Sequence, residues 1–248
     1  MTAFKDLFSV QAKDYAKYRP TYPAGLYTYL ASLTTPKKIV WDVGTGNGQA
    51  AIELAKDFEQ VNATDPSEKQ ISEAQARPNI SYHIEAAETP SLTKASVNLI
   101  TVAQAFHWFD HARFAEACKA VAAPGAHLAV WTYAKATVEP ELDQVIDRLY
   151  TGILDRYWEK ERRLVEQGYK TIQMPFKEIH TPAFNLEAEW SLEQLLGYFK
   201  TWSAMQSYLK KNDSGPIQKS FEDISSAWGS VPTRKVSWPL SLRVWEIA

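Results

Sequence analysis

The run Ile39-Val40-Trp41-Asp42-Val43-Gly44-Thr45-Gly46-Asn47-Gly48 sets one carboxylate at the end of an apolar stretch and glycines at alternate positions just after it. Glycine has no Cβ, so a turn built from it lets backbone N–H groups come close to a ligand. An apolar run at helical spacing follows from Ala50 to Ala55, and the whole segment reads as strand, glycine turn, helix. That arrangement suits a nucleoside-bearing cofactor.

The spacing then separates the candidate cofactors. A dinucleotide fingerprint, G-x-G-x-x-G, wants its third glycine at position 49, and Gln49 stands there. A carboxylate at Asp42 would also face an incoming pyrophosphate unfavourably. It suits a ligand that carries an ammonium group and no phosphate. S-adenosylmethionine has an amino-acid end and a sulfonium cation.

Val40 to Gly48 resembles the first motif of class I S-adenosylmethionine-dependent methyltransferases. The resemblance implies that Gly44, Gly46, Asn47 and Gly48 bind the methionine end, with Asp42 near its ammonium. Asp65, at the end of a second apolar run, falls where the family has an acid on the ribose hydroxyls. Pro66 and Gln70 hold the positions that flank the adenine. The family often has Asp-Ala after the third strand, whereas this chain has Ala86-Ala87 and then Glu88. The Ala87 N–H can still read the ring. Glu88 has two readings, as a replacement for the missing carboxylate or as a cap on the turn.

A narrower likeness rests on Phe8, Ala12, Tyr15, Arg19-Pro20 and Tyr22-Pro23, on Val102-Ala103-Gln104-Ala105-Phe106-His107-Trp108-Phe109-Asp110, and on Thr201-Trp202-Ser203. These strings resemble the trans-aconitate methyltransferase-like subfamily of the type 11 methyltransferases, whose members methylate small molecules, carboxylic acids among them. By that resemblance Gln104 and Ala105 pass under the sulfonium. Tyr15 and Arg19 bind the cofactor and close the site from the N-terminal helix, with Arg19 at a carboxylate and also lining the acceptor pocket. His107, Trp108 and Trp202 line the acceptor pocket. A carboxylate acceptor needs no base. For a hydroxyl or amine acceptor, His107 is the candidate general base, although a histidine beside Trp108 and Phe109 also reads as a packed structural residue.

These residues need elements to hold them. Apolar runs at Ile39–Val43, Gln60–Thr64, Ile80–Ile84, Val97–Val102 and His127–Thr132 read as strands, with helices at Gln49–Phe58, from Ser67 to about Arg77, and at Phe114–Val121. Strands alternating with helices predict an α/β, doubly wound, mostly parallel sheet, seven-stranded and Rossmann-like as in this methyltransferase class. Its ligand lies beyond the carboxyl ends of the strands. Pro124-Gly125 reads as a turn before the fifth strand. Beyond Tyr133 the pattern predicts helices at Pro140–Tyr157 and Phe221–Trp228, a strand at Phe184–Trp190, a helix from Leu192 to about Lys200 and a last strand at Val236–Ile247. Most of the nine tryptophans lie in this half. The charged run from Glu159 to Arg163 reads as a solvated helix face. One domain is expected over residues 1–248: N-terminal helices closing the site over 1–35, a cofactor-binding core over 36–133, and a helical cover with the final strands over 134–248.

The chain has 248 residues, 45% of them hydrophobic, with a net charge of −2 and a pI near 6.2. That balance argues against nucleic acid as the main partner. Cys118, the single cysteine, sits in an apolar helical pattern and reads as a buried thiol. No Cys/His spacing suits a metal. The first residues hold no signal-peptide core and no stretch is long enough to span a membrane, so a cytoplasmic location is expected. The leading expectation is an enzyme that methylates a carboxylate or hydroxyl of a small molecule from S-adenosylmethionine. Competing readings on the same fold are a macromolecular methyltransferase, a non-catalytic S-adenosylmethionine binder, and an NAD(P)-dependent oxidoreductase, against which Gln49 speaks.

Overall fold

The computed structural model describes residues 18–247. A single mixed sheet runs through it, with strands β1 (Ile39–Val43), β2 (Gln60–Asp65), β3 (Ile80–Ile84), β4 (Val97–Ala103), β5 (Ala122–Tyr133), β6 (Lys177–Ile179), β7 (Phe184–Trp190) and β8 (Arg234–Glu246). The spatial order is β3-β2-β1-β4-β5-β8-β6, and β7 also pairs with β8. Strands β1 to β5 are parallel, while β8 runs antiparallel between β5 and the β6/β7 edge.

The helices are α1 (Ala24–Ser32), α2 (Gln49–Leu54), α3 (Glu68–Ser72), α4 (His111–Val121), α5 (Pro140–Asp147), α6 (Arg162–Glu166), α7 (Leu192–Lys200), α8 (Ser203–Leu209) and α9 (Gly215–Trp228). Successive side chains of the central strands go to opposite cores. Val40, Leu99, Ala129 and Trp131 join α1, α2 and the C-terminal helices on one face. Trp41, Val43, Ile100, Val102, Leu128 and Val130 meet α4 and the segment around α6 on the other. Burial on both faces explains why these strands read as nearly continuous apolar runs.

Sequence and structure differ at several elements, among them helix α2, which ends at Leu54 and not at Phe58, and the helix expected over Pro140–Tyr157, whose α-helical part ends at Asp147. The expected seven strands are eight, because the outer edge is split in two around Thr181-Pro182. Proline offers no N–H to a ladder, and a break at the edge is where a sheet tolerates it. Pro124-Gly125 lies inside β5, where the β4–β5 register shifts between the pairs Val97↔Ala122 and Leu99↔His127, and is not a turn ahead of the strand. Helix α3 ends at Ser72, short of Arg77. Helix α9 begins at Gly215, earlier than expected, with Pro216 in its first turn, a position where a missing N–H costs nothing.

Candidate active site

The glycine turn leaves the carboxyl end of β1, and its residues are held from several sides. Gly44 has φ +65°, and a Cβ there would lie 2.5 Å from Ala105 Cβ. Gly48 has φ +83°, and its added Cβ would lie 2.4 Å from the Tyr82 hydroxyl. Packing against protein neighbours is thus a second reason for glycine at these two positions, beside the ligand contact expected from the sequence. Gly46 is different. A Cβ there would meet nothing nearer than Gln70 Oε1 at 3.7 Å, so the turn is open above it. Asn47 completes the turn at the mouth of a depression of about 250 Å³ shared with Arg19, Thr21, Gln49 and Glu73.

Asp65 anchors the turn from the end of β2. Its Oδ2 accepts the Gly46 N–H at 2.9 Å and its Oδ1 accepts the Ser67 N–H at 2.9 Å. Ser67 caps α3 by accepting from the Gln70 amide at 3.3 Å, as its position in the sequence predicts. Gln70 is thereby buried against the turn, and Pro66 stays exposed.

Asp42 is fully buried beneath the turn. The Thr45 hydroxyl donates to its Oδ2 at 2.5 Å and the Thr101 hydroxyl to its Oδ1 at 2.8 Å. Burial pushes its carboxyl up to about 6, against those two hydrogen bonds, and the Asp65 charge adds to the rise. Both oxygens are engaged within the protein, so Asp42 shapes the turn from inside and lends charge from below.

The loops after β3 and β4 are tied together. Ala87 is buried, and Glu88 Oε1 accepts the Asp110 N–H at 2.8 Å. That bond makes Glu88 a tie between the two loops. Gln104 follows β4 with φ +56°, a left-handed conformation that a residue other than glycine keeps only where its surroundings hold it. Its Nε2 donates to the Tyr133 carbonyl at 3.1 Å and its Oε1 accepts from the Thr132 hydroxyl. The side chain thus turns back to β5, and Ala105 is left as the residue against Gly44.

A cleft opens beside this loop, lined by Arg19, Gln104, His107, Trp108, Trp158, Glu159, Arg162, Trp202 and Ser203. It gathers every acceptor-pocket residue expected from the sequence. His107 Nδ1 lies 2.8 Å from the Tyr169 hydroxyl. Burial, then the positive charge of Arg162 and of His111, holds its imidazole down to about 3, so the ring is neutral. Arg19 donates to Tyr133 Oη at 3.5 Å and to the Thr201 carbonyl at 3.4 Å, and it lines both this cleft and the depression at Asn47. Tyr15 lies outside the described residues, as do Phe8 and Ala12.

Arg162 corrects the sequence reading. It is not part of a solvated face: its guanidinium sits 4.9 Å from the Trp158 ring centre and its Nε donates to Tyr150 Oη at 2.9 Å. Among the described residues it has no carboxylate partner. Sequence reasoning also missed Trp158 and Tyr169. The only signal was the spacing of Trp158 and Arg162, which allows an arginine to stack on an indole. Trp202 is buried against Tyr150, Trp158, Tyr198 and Phe199, so it is a core residue and a wall of the cleft at once.

Comparison with known proteins bears on the family and the fold. A family model for a methyltransferase domain matches residues 41–130, from β1 through most of β5. A protein of Dictyostelium discoideum assigned as a methyltransferase is 33% identical over 92% of this chain and 88% of its own length. The chain belongs to the class I S-adenosylmethionine-dependent methyltransferases. A methyltransferase of Aspergillus candidus is 27% identical over 94% of this chain and 83% of its own length. A solved structure from Anaeromyxobacter dehalogenans, assigned as a type II methyltransferase, superposes with a TM-score of 0.87 at 39% identity, covering 93% of this chain and 98% of that one.

S-adenosylmethionine is therefore the cofactor of this methyltransferase. The residues present fit it: an open position over Gly46, a carboxylate at Asp65 beside that opening, and a buried negative group at Asp42 below. Among the described residues no group of side chains could hold a metal ion, and no helix is long and apolar enough to cross a membrane.

Proposed function

We propose that this methyltransferase acts on a small molecule and methylates an oxygen, of a carboxylate or a hydroxyl. The observation that carries the reading is the cleft at the carboxyl end of β4, where a neutral imidazole and a guanidinium stand among indole walls. Such a site takes a compact acceptor with a flat or apolar body and one polar end. The narrower likeness seen in the sequence supports the same class.

When bound, the cofactor supplies an electrophilic methyl group on a sulfonium. The protein supplies alignment and a dry site. Asp65 takes the ribose hydroxyls while keeping the turn in place. Gly46 and Asn47 admit the methionine end, and Asp42 favours its ammonium from beneath. Gln70 and Pro66 flank the adenine, with the Ala87 backbone at its edge and Glu88 fixing the loop beside it. Gln104 sets the course of the chain so that Ala105 passes under the reacting centre. Trp108, Trp158 and Trp202 shed water from the acceptor. Arg162 and Arg19 hold its negative or polar end.

The test is a turnover screen with S-adenosylmethionine and a library of small carboxylic acids and phenols, read by mass detection of methylated products. Methyl products from compact acceptors are expected. Methylation of protein or RNA substrates together with silence across the library overturns the reading.

A further inference from the structure

We propose that Tyr150 makes this methyltransferase select acceptors that carry a singly charged oxyanion, because its hydroxyl stands between Arg162 and Glu166 and keeps the Arg162 guanidinium as an open fork at the cleft. The inference rests on the small-molecule reading above. It adds the charge of the acceptor and two positioning residues, Tyr150 and Glu166.

Arg162 and Glu166 are four residues apart on α6, the spacing at which opposite charges ordinarily pair on a helix. They do not pair. Among the described residues no carboxylate stands within ion-pair distance of Arg162. The Tyr150 hydroxyl fills the gap: it accepts from Arg162 Nε at 2.9 Å and donates to Glu166 Oε1 at 2.6 Å. A guanidinium can only donate, so the single tyrosine proton goes to the carboxylate. Burial raises the phenol from its ordinary value, against the nearby Arg162 charge, so that proton stays on the bridge.

The same residue fixes the surface on which the fork rests. The Tyr150 carbonyl accepts the Trp158 indole N–H at 3.3 Å. The guanidinium carbon of Arg162 lies 4.9 Å from the Trp158 ring centre and 5.8 Å from the Tyr150 ring centre, within reach of cation–π attraction to both. Tyr150 is buried and stands in a single π-helical turn, Arg148–Ile153, that continues α5. Such turns are rare and occur frequently at functional sites.

With Nε on Tyr150 and its face on Trp158, Arg162 has its two Nη groups left. Neither has a hydrogen-bond partner among the described residues, and Arg162 lines the cleft. A guanidinium fork of this kind matches the two oxygens of a carboxylate. The cleft lining holds two guanidiniums, Arg19 and Arg162, one carboxylate, Glu159, and the neutral His107 ring, which leaves a surplus of one positive charge. One singly charged group on the acceptor balances it. The indole N–H of Trp202, in the same lining, is also buried without a hydrogen-bond partner among the described residues, a second unmet donor at the cleft. Were Arg162 paired directly with Glu166, its charge would be neutralised on its own helix. The cleft would then take a neutral amide as readily as the matching acid.

Calorimetry with benzoate and benzamide, a flat acid and its neutral counterpart, tests this on the full chain saturated with S-adenosylhomocysteine. Benzoate should bind about tenfold more tightly than benzamide, the scale of a hydrogen bond to a charged group. Tyr150→Phe lets Glu166 draw the guanidinium to itself, so the benzoate preference should vanish while benzamide binding and cofactor affinity stay as they were. Adding Glu166→Gln removes the competing charge and should restore a preference of about threefold, roughly half of the lost free energy. Equal binding of the two probes to the wild type, loss of both probes in Tyr150→Phe, or no recovery in the double variant overturns the proposal. If Tyr150→Phe does not fold, Arg162→Lys keeps the charge but cannot hold Tyr150 and present a fork at once. It too should lose the preference, and a wild-type preference in that variant overturns the proposal. Silence across the turnover screen with the benzoate preference intact defeats the small-molecule reading and supports the anion seat.

Discussion

Glu88 Oε1 accepts the Asp110 N–H at 2.8 Å, and the Asp110 carboxylate accepts the Arg113 N–H at 3.2 Å, so one carboxylate from the β3 side and the cap of α4 together pin the loop that carries Gln104 to Trp108. Removing the first of these should loosen the loop without unfolding the sheet. Glu88→Ala is expected to weaken S-adenosylmethionine binding by about fivefold, the equivalent of roughly 1 kcal/mol for a partly exposed hydrogen bond to a charged group. Glu88→Gln should keep most of it. Titration calorimetry on both variants checks this, and equal losses would show that charge matters and the bond does not.

Asp65 is the residue on which cofactor and turn depend jointly. Asp65→Ala removes the proposed ribose acceptor and frees the Gly46 N–H. The expected loss of cofactor affinity is on the order of 100-fold, about 2.7 kcal/mol. Unchanged affinity in calorimetry would remove Asp65 from the site.

Gly48 is tested by its neighbour. Gly48→Ala puts a Cβ 2.4 Å from the Tyr82 hydroxyl at a backbone φ of +83°, and should cost about 2 to 3 kcal/mol of stability. Adding Tyr82→Ala removes the collision and leaves the backbone strain, so the double variant should recover part of the loss in urea unfolding. No recovery would mean that backbone conformation alone sets the requirement for glycine.

Two buried groups give opposite slopes of stability with pH. Asp42 ionises near 6 in the folded protein, above its ordinary carboxylate value of 3.8, so the folded state binds more protons between those values and stability falls as pH rises through them. His107 ionises near 3, below its ordinary 6.5, so the unfolded state binds more protons in that interval and stability falls as pH drops through it. Each effect is several kcal/mol, on the order of 3 for Asp42 and 5 for His107. The two slopes largely offset each other between about pH 4 and 6, so urea midpoints measured from pH 4 to pH 7 should rise with pH more steeply in Asp42→Asn and fall with pH over that interval in His107→Gln. Curves parallel to wild type would contradict both assignments.

Arg162→Leu keeps a side chain on the Trp158 ring and removes the cation. Acceptor methylation should fall 10- to 100-fold in kcat/KM, about 1.4 to 2.7 kcal/mol, with cofactor affinity unchanged. A loss confined to cofactor binding would move Arg162 to the other half of the site.

The sequence located what depends on local chemistry. Strands β1, β3 and β7 and helix α7 begin and end where the residues predict, because apolar runs bounded by Asp, Gly, Pro or Ser leave little choice. The glycine turn and the His107 loop were legible for the same reason. Arg162 was not, since a run of alternating charges looks the same whether it faces water or stacks one member on a distant indole. Tyr169 was hidden too: its partner is far away in sequence, and only the fold brings its hydroxyl to His107. Gly44 and Gly48 were found for an incomplete reason, because the pattern shows that something comes close and does not say whether it is ligand or protein.

Strand β8 follows the other seven in the chain and yet lies inside the sheet, with β5 on one side and β6 and β7 on the other. During synthesis, the edge of β5 that carries Thr132 and Tyr133 stays unpaired until residues 234–246 emerge. The cofactor half can assemble early from strands already adjacent in the chain. The other half has to wait for a strand that follows β6 and β7 in the chain, so the two halves of the sheet close in separate steps.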